Sequence, residues 1–127
     1  MQDATALKSP IVLIVDDEAL VRAYAADVFD ELGFTVLEAG DGLEALDLLR
    51  TQADVTLLFS DCRMPRMDGP TLAAEAAQLR PELPVMLVTG HTDACTKTWP
   101  VLRKPYRMAD LTRALKGVMP ELDVAAA

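Results

Sequence analysis

The sequence predicts an α/β domain built on a doubly wound, five-stranded parallel sheet of order 2-1-3-4-5. Two observations carry this expectation. Short β-compatible apolar runs alternate with stretches whose apolar residues recur at helical spacing, the pattern of successive βαβ units. The runs Ile11-Val12-Leu13-Ile14-Val15 and Pro84-Val85-Met86-Leu87-Val88-Thr89 are almost unbroken rather than alternating, as expected of strands covered by helices on both faces. With 127 residues, 51% of them hydrophobic, the chain has room for one compact domain that buries roughly two thirds of its unfolded surface. We assign residues 10–119 to that domain, 1–9 to a polar lead-in and 120–127 to a flexible tail.

Asp16-Asp17-Glu18 ends the first strand. From Ala19 the period changes: Val21, Ala25, Val28 and Leu32 fall at helical spacing, with Arg22, Asp27, Asp30 and Glu31 between them. Gly33 is placed to stop that helix. Thr35–Ala39 is a short strand whose polar residues put it towards a sheet edge. Asp41 is expected to cap the next helix, with Glu44 closing a capping box and Ala45, Leu46, Leu48 and Leu49 facing inward. The third strand, Val55–Asp61, ends on a lone carboxylate before the Pro65–Gly69 loop, and Pro70 opens a helix carrying Leu72, Ala76 and Leu79. After the fourth strand, Val101–Lys104 forms a short fifth that Pro105 terminates. Leu111, Leu115 and Val118 mark a last helix, for which Arg107 is a poor cap.

The formal net charge of −8 argues against a surface built to neutralise nucleic-acid phosphates or anionic lipid, so neither nucleic acid nor membrane is an expected partner. No apolar run approaches the roughly 18 residues of a membrane span, and Met1–Pro10 has no leader pattern. Cys62 and Cys95 are too few for a disulfide framework and lack the neighbouring ligands of a zinc site. Cys62 and the methionines at 64, 67, 86 and 108 are read as packing and loop residues, and a reducing cytoplasm is the expected compartment.

In the expected topology a ligand binds outside the carboxyl ends of the strands, between the first and third, where the winding reverses. Those ends carry Asp16, Asp17 and Asp61. Three carboxylates gathered there repel by a few kcal/mol per pair at an effective dielectric of about 20, and a hard divalent cation such as Mg²⁺ offsets this. Lys104 brings a further positive charge to the rim, and Thr89 a hydroxyl that can donate to a phosphoryl oxygen. A carboxylate beside a metal can attack phosphorus, so the parts describe a phosphate-accepting site on Asp61. Singly, each has an ordinary reading: helix-start carboxylates, a turn-capping Asp, a surface lysine, a strand threonine. Their joint occurrence on one rim gives the reading its weight.

Val15-Asp16-Asp17-Glu18, Ser60-Asp61 followed by Met64-Pro65 and Met67-Asp68-Gly69, Val88-Thr89-Gly90 and Lys104-Pro105 together resemble the receiver domain of two-component response regulators. The likeness runs from about Pro10 to Met119 and implies the flavodoxin-like receiver fold. It also implies that Asp61 takes a phosphoryl group from the phosphohistidine of a histidine kinase or histidine phosphotransfer protein. Asp17, Asp61 and the Arg63 main-chain carbonyl would hold Mg²⁺, with Asp16 acting mostly through a metal-bound water and Thr89 and Lys104 holding phosphoryl oxygens. His91 and the Arg63 side chain fall where the family varies residues that tune dephosphorylation, although a solvated loop histidine is the commoner role.

Two departures from the family pattern stand out. The position three residues before the lysine, usually aromatic, is Val101, and neither Trp99 nor Tyr106 replaces it by alignment. Thr89 and Lys104 are only 15 residues apart, shorter than the usual segment by about two helical turns, which leaves a stub at most for a fourth helix. The compact segment resembles receivers attached to hybrid histidine kinases and some stand-alone relatives. The expected function is a phosphorylation-controlled switch whose catalysis is confined to itself. The alternatives are a hybrid-kinase receiver or phosphorelay sink, and a Mg²⁺-dependent phosphohydrolase. The last generally needs an acid/base carboxylate two residues beyond the nucleophile, where this chain has Arg63.

Overall fold

In the computed structural model, residues 9–90 and 95–120 are described. The strands β1 (Ile11–Val15), β2 (Thr35–Ala39), β3 (Leu57–Asp61), β4 (Val85–Thr89) and β5 (Val101–Arg103) form one sheet of order β2-β1-β3-β4-β5. Every pairing is parallel. The described residues contain four helices: α1 (Ala19–Glu31), α2 (Gly42–Thr51), α3 (Gly69–Leu79) and α4 (Met108–Val118). None is long and apolar enough to cross a membrane.

Side chains alternate across the strands and so feed two separate cores. Leu13, Val15, Leu58 and Leu87 pack with Ala45 and Leu49 of α2 and with Leu72 and Ala76 of α3. Val12, Ile14, Leu57, Phe59, Met86 and Val88 pack on the other face with Ala25 and Phe29 of α1 and with Leu111 and Leu115 of α4. This is the doubly wound arrangement read from the unbroken apolar strands. β2, with its exposed and half-buried residues, lies at the edge as expected, and β4 is buried throughout.

Local chemistry sets the helix ends. Gly33, at φ 96°, terminates α1 and donates to the Asp30 carbonyl, a conformation that side-chain-bearing residues adopt at a cost. Asp41 accepts from the Glu44 N–H, as expected, but the Glu44 carboxylate reaches past the cap to the N–H of Gly40, so the reciprocal half of the box is displaced by one residue. Asp68 caps α3 by accepting from Thr71 N–H at 2.9 Å, with Pro70 in its first turn. At α4, Arg107 makes no side-chain cap bond. Asp110 accepts from its N–H at 2.9 Å instead.

Several expectations need correction or delimitation. Cys62 is more than a packing and loop residue: it is joined to Cys95 by a disulfide, with Cα atoms 6.3 Å apart. Periodicity and cysteine number could not reveal this, because the pair is brought together by the fold across a separation of 33 residues. β3 begins at Leu57 rather than Val55, although Val55 is fully buried. Residues 95–100, before β5, carry no helix, in keeping with the shortened segment. His91, the lead-in 1–8 and the tail 121–127 lie outside the described residues.

Candidate functional site

Four strand ends meet on one rim. β1 leads directly into Asp16 and Asp17, β3 ends on Asp61, β4 ends on Thr89, and Lys104 follows β5. Parallel register keeps the ends level: Asp61 pairs with Val88, and Thr89 with Arg103. Main-chain bonds then fix the turns, with Asp16 N–H donating to Ala39, Cys62 N–H to Val88 and Lys104 N–H to Thr89. The Lys104–Pro105 peptide is cis. A cavity of about 220 Å³ opens among Asp17, Asp61, Arg63, Thr89, Gly90 and Lys104, with Glu18 also on its wall.

The three carboxylates converge. One oxygen from each of Asp16, Asp17 and Asp61 lies within 4.8 Å of the others. Oxygens gathered this closely can hold a metal ion once they draw in around it. The donor set is all oxygen and net anionic, as a hard cation requires. Lys104 Nζ lies 2.9 Å from Asp61 Oδ1 and 3.7 Å from Asp16 Oδ2, the charge that offsets their repulsion from within the chain.

Asp16 is 5% exposed. Burial, more than any other cause, raises its pKa above the usual carboxylate value. The Asp61 and Asp17 charges push the same way, against the Glu18 N–H bond at 2.9 Å and the Lys104 charge. For Lys104 the largest influence, burial, works against the charged form, but the bond to Asp61 and the charges of Asp61, Asp16 and Glu18 outweigh it and raise the pKa. A raised lysine pKa means that the interaction stabilises the fold below the unfolded value of 10.5 and is lost as pH rises through the higher folded value. Lys104→Ala is therefore expected to lower stability by about 1 kcal/mol at pH 7, a charge-assisted bond discounted for partial exposure. Denaturant midpoints should differ by the same amount at pH 6 and pH 9 and converge only above pH 10.5.

The structure thus brings together Asp16, Asp17, Asp61, Arg63, Thr89 and Lys104. It also supplies supports that periodicity and motif spacing do not reveal. Arg22, read only as a polar residue on a helix face, donates through Nη1 to the Asp16 carbonyl at 2.7 Å and through Nε to Glu38 at 2.9 Å. Tyr24 OH donates to the Tyr106 carbonyl at 2.9 Å, tying α1 to the turn after Lys104. The available signal for Arg22 is its place one helical turn after Glu18, with Glu38 next to last in the neighbouring strand. Val101, at the usual aromatic position, is half-buried in β5 opposite Leu87. Tyr106 is buried on the opposite face, against Phe59 and Tyr24, and burial raises its pKa.

Residues 12–116 match the response regulator receiver domain. The chain is 33% identical over 123 residues to the sensor kinase CckA of Brucella abortus, covering 91% of this chain and 13% of that protein. It is 35% identical over 124 residues to the transcriptional regulatory protein PdtaR of Mycobacterium tuberculosis, covering 90% of this chain and 58% of that one. The chain therefore spans only part of these curated relatives. Among solved structures, the receiver domain of the hybrid histidine kinase CckA superposes with a TM-score of 0.74 at 35% identity, covering 86% of this chain and 98% of that one. The signal receiver domain of an HD domain-containing protein from Pseudomonas fluorescens Pf-5 gives 0.80 at 30% identity, covering 89% and 96%.

Proposed function

The chain belongs to the response regulator receiver domain family of two-component systems, and on that ground we propose that Asp61 is its phosphoacceptor. The observation that carries this is the convergence of the Asp16, Asp17 and Asp61 carboxylates with Lys104 at 2.9 Å from Asp61, on the rim where Thr89 also ends. Receivers interact with histidine kinases or phosphotransfer proteins, and the donor here is proposed to be a phosphohistidine on such a partner.

Asp17, Asp61 and the Arg63 main-chain carbonyl would hold Mg²⁺, with Asp16 orienting water beside it. When bound, the ion supplies charge neutralisation for the incoming phosphoryl oxygens. Asp61 lends a carboxylate oxygen as nucleophile, presented by a strand end whose backbone is fixed on both sides. Lys104 holds a phosphoryl oxygen by charge, and the Thr89 hydroxyl donates to another once it arrives. The added negative charge draws Thr89 inward and so changes a surface that a partner reads. Uptake and later hydrolysis would be the only catalysis.

Incubation with acetyl phosphate tests this reading. Single-turnover labelling that requires Mg²⁺ and is blocked by chelator supports it. Repeated turnover of unrelated phosphoesters supports a phosphohydrolase instead. Lys104→Ala should impair the conformational response more than Mg²⁺ affinity, and equal loss of both would contradict the division of roles. The similarity to sensor kinases favours a second use of the same site, as a relay element that passes its phosphoryl group to a histidine on another protein. Transfer from the labelled chain to a histidine phosphotransfer protein distinguishes that use from a terminal switch.

A further inference from the structure

We infer that Cys62 and Cys95 form a thiol–disulfide switch that controls how readily the neighbouring Asp61 is phosphorylated. The output rests on the phosphoacceptor reading of Asp61, whereas the bridge itself stands on geometry.

The two halves of the bridge belong to different kinds of structure. Cys62 follows Asp61 in the chain, is 2% exposed, and is pinned through its backbone: its N–H donates to Val88 at 2.8 Å, and its carbonyl accepts from Gly69 at 2.9 Å. It is a fixed post at the end of β3. Cys95 is half-buried and lies on the segment that leads from Thr89 to β5 and Lys104, where residues 95–100 have no helix or strand. The disulfide thus ties the strand end carrying the acceptor to the segment joining the two residues that receive the phosphoryl oxygens. The sheet is paired along all five strands and carries a core on each face, so the bridge is not a staple compensating for a small core.

The bridge is also approachable. A second cavity, of about 530 Å³, lies beside the acceptor loop, with both cysteines on its wall, bounded by Met64, Pro65 and Pro70. Cys95 is the more exposed of the two residues. Attack on it by an external thiolate breaks the S–S bond, forms a mixed disulfide at Cys95 and releases Cys62 as a thiolate, which takes up a proton. A second external thiolate then attacks the external sulfur of the mixed disulfide, releasing Cys95 as a thiolate that is protonated in turn. The sum is one protein disulfide and two thiols converted into two protein thiols and one external disulfide. The reductant is a small dithiol or a thiol protein, and the reverse exchange restores the bridge.

In the bridged form Cys95, which lies between Thr89 and β5 in the chain, is held to the end of β3. Phosphorylation draws Thr89 inward, so a bridge that fixes Cys95 opposes the movement and reduction releases it. The test labels oxidised and dithiothreitol-reduced protein with acetyl phosphate and Mg²⁺, while alkylation and intact mass count free thiols. Reduced wild type and Cys95→Ser are expected to label alike, each faster than the oxidised wild type by about 5-fold or more, the lower end of ordinary coupling between sites. Cys95→Ser should not respond to reductant. Two free thiols under oxidising conditions, a difference below about 5-fold, or faster labelling of the bridged form overturns the switch. Equal labelling overturns the switch alone; loss of labelling in every form overturns the phosphoacceptor reading as well.

Discussion

Asp61→Asn is expected to abolish phosphoryl labelling while leaving the domain folded. The amide matches the carboxylate in shape but has no anionic oxygen to attack phosphorus. The side chain is 13% exposed at the end of β3, so the substitution neither empties a core position nor adds bulk. Its electrostatic effects partly cancel. The 2.9 Å ion pair with Lys104 is lost, and so is one of the charges crowding Asp16. The thermal midpoint should therefore move by no more than about 5 °C, roughly the equivalent of 1 kcal/mol in a domain of this size. Labelling comparable with the wild type would move the nucleophile elsewhere, to Asp16 or Asp17, whose carboxylates share the site.

Gly69→Ala is expected to cost about 1–3 kcal/mol, because the new methyl group has no side chain to push aside. Its Cβ would lie 2.5 Å from the Asp61 carbonyl oxygen and 2.9 Å from Cys62 Cα, both main-chain atoms. Gly69 sits this close because its N–H donates to the Cys62 carbonyl, which docks the start of α3 directly on the end of β3. Either the helix or the strand end must retreat, and the strand end carries Asp61. The thermal midpoint should fall by several degrees, to about 10 °C at the upper end, with slower labelling in the same variant. Gly117→Ala provides the contrast. Nothing lies within 4 Å of its added Cβ in α4, so about 0.5–1 kcal/mol of stabilisation is expected from reduced backbone freedom. A Gly69→Ala midpoint equal to that of the wild type would contradict the contact.

Asp68-Gly69 also illustrates what was legible in the sequence. It reads as turn and helix-entry chemistry, and Asp68 indeed caps α3, but the need for glycine is a tertiary fact that emerges only when α3 meets β3. The sheet order and the two-sided cover were legible because burial on both faces leaves an unbroken apolar signature in β1 and β4. The gathering of Asp16, Asp17, Asp61, Thr89 and Lys104 on one rim was legible for the same reason. Once strands are parallel and in register, their carboxyl ends coincide.

What escaped was chemistry that depends on partners distant in sequence. Arg22 looks like any polar residue on an amphipathic helix until β2 brings Glu38 beside it and the turn after β1 offers the Asp16 carbonyl. The Cys62–Cys95 bridge escaped because two cysteines without a local motif carry no pairing information. Glu44 has the spacing of a capping residue, but its long side chain reaches Gly40 N–H, a choice between adjacent donors that spacing does not resolve.

The central claim is that the phosphoryl group resides on Asp61, and the most direct measurement is to locate it chemically. Labelling the wild-type chain with acetyl phosphate and Mg²⁺, then reducing with borohydride, converts a phosphorylated aspartate to homoserine, which peptide mass spectrometry can place. The account predicts conversion at residue 61, with Asp16 and Asp17 unchanged and no conversion when Mg²⁺ is chelated. Conversion at residue 16 or 17, or labelled protein with an intact aspartate at 61, would contradict it.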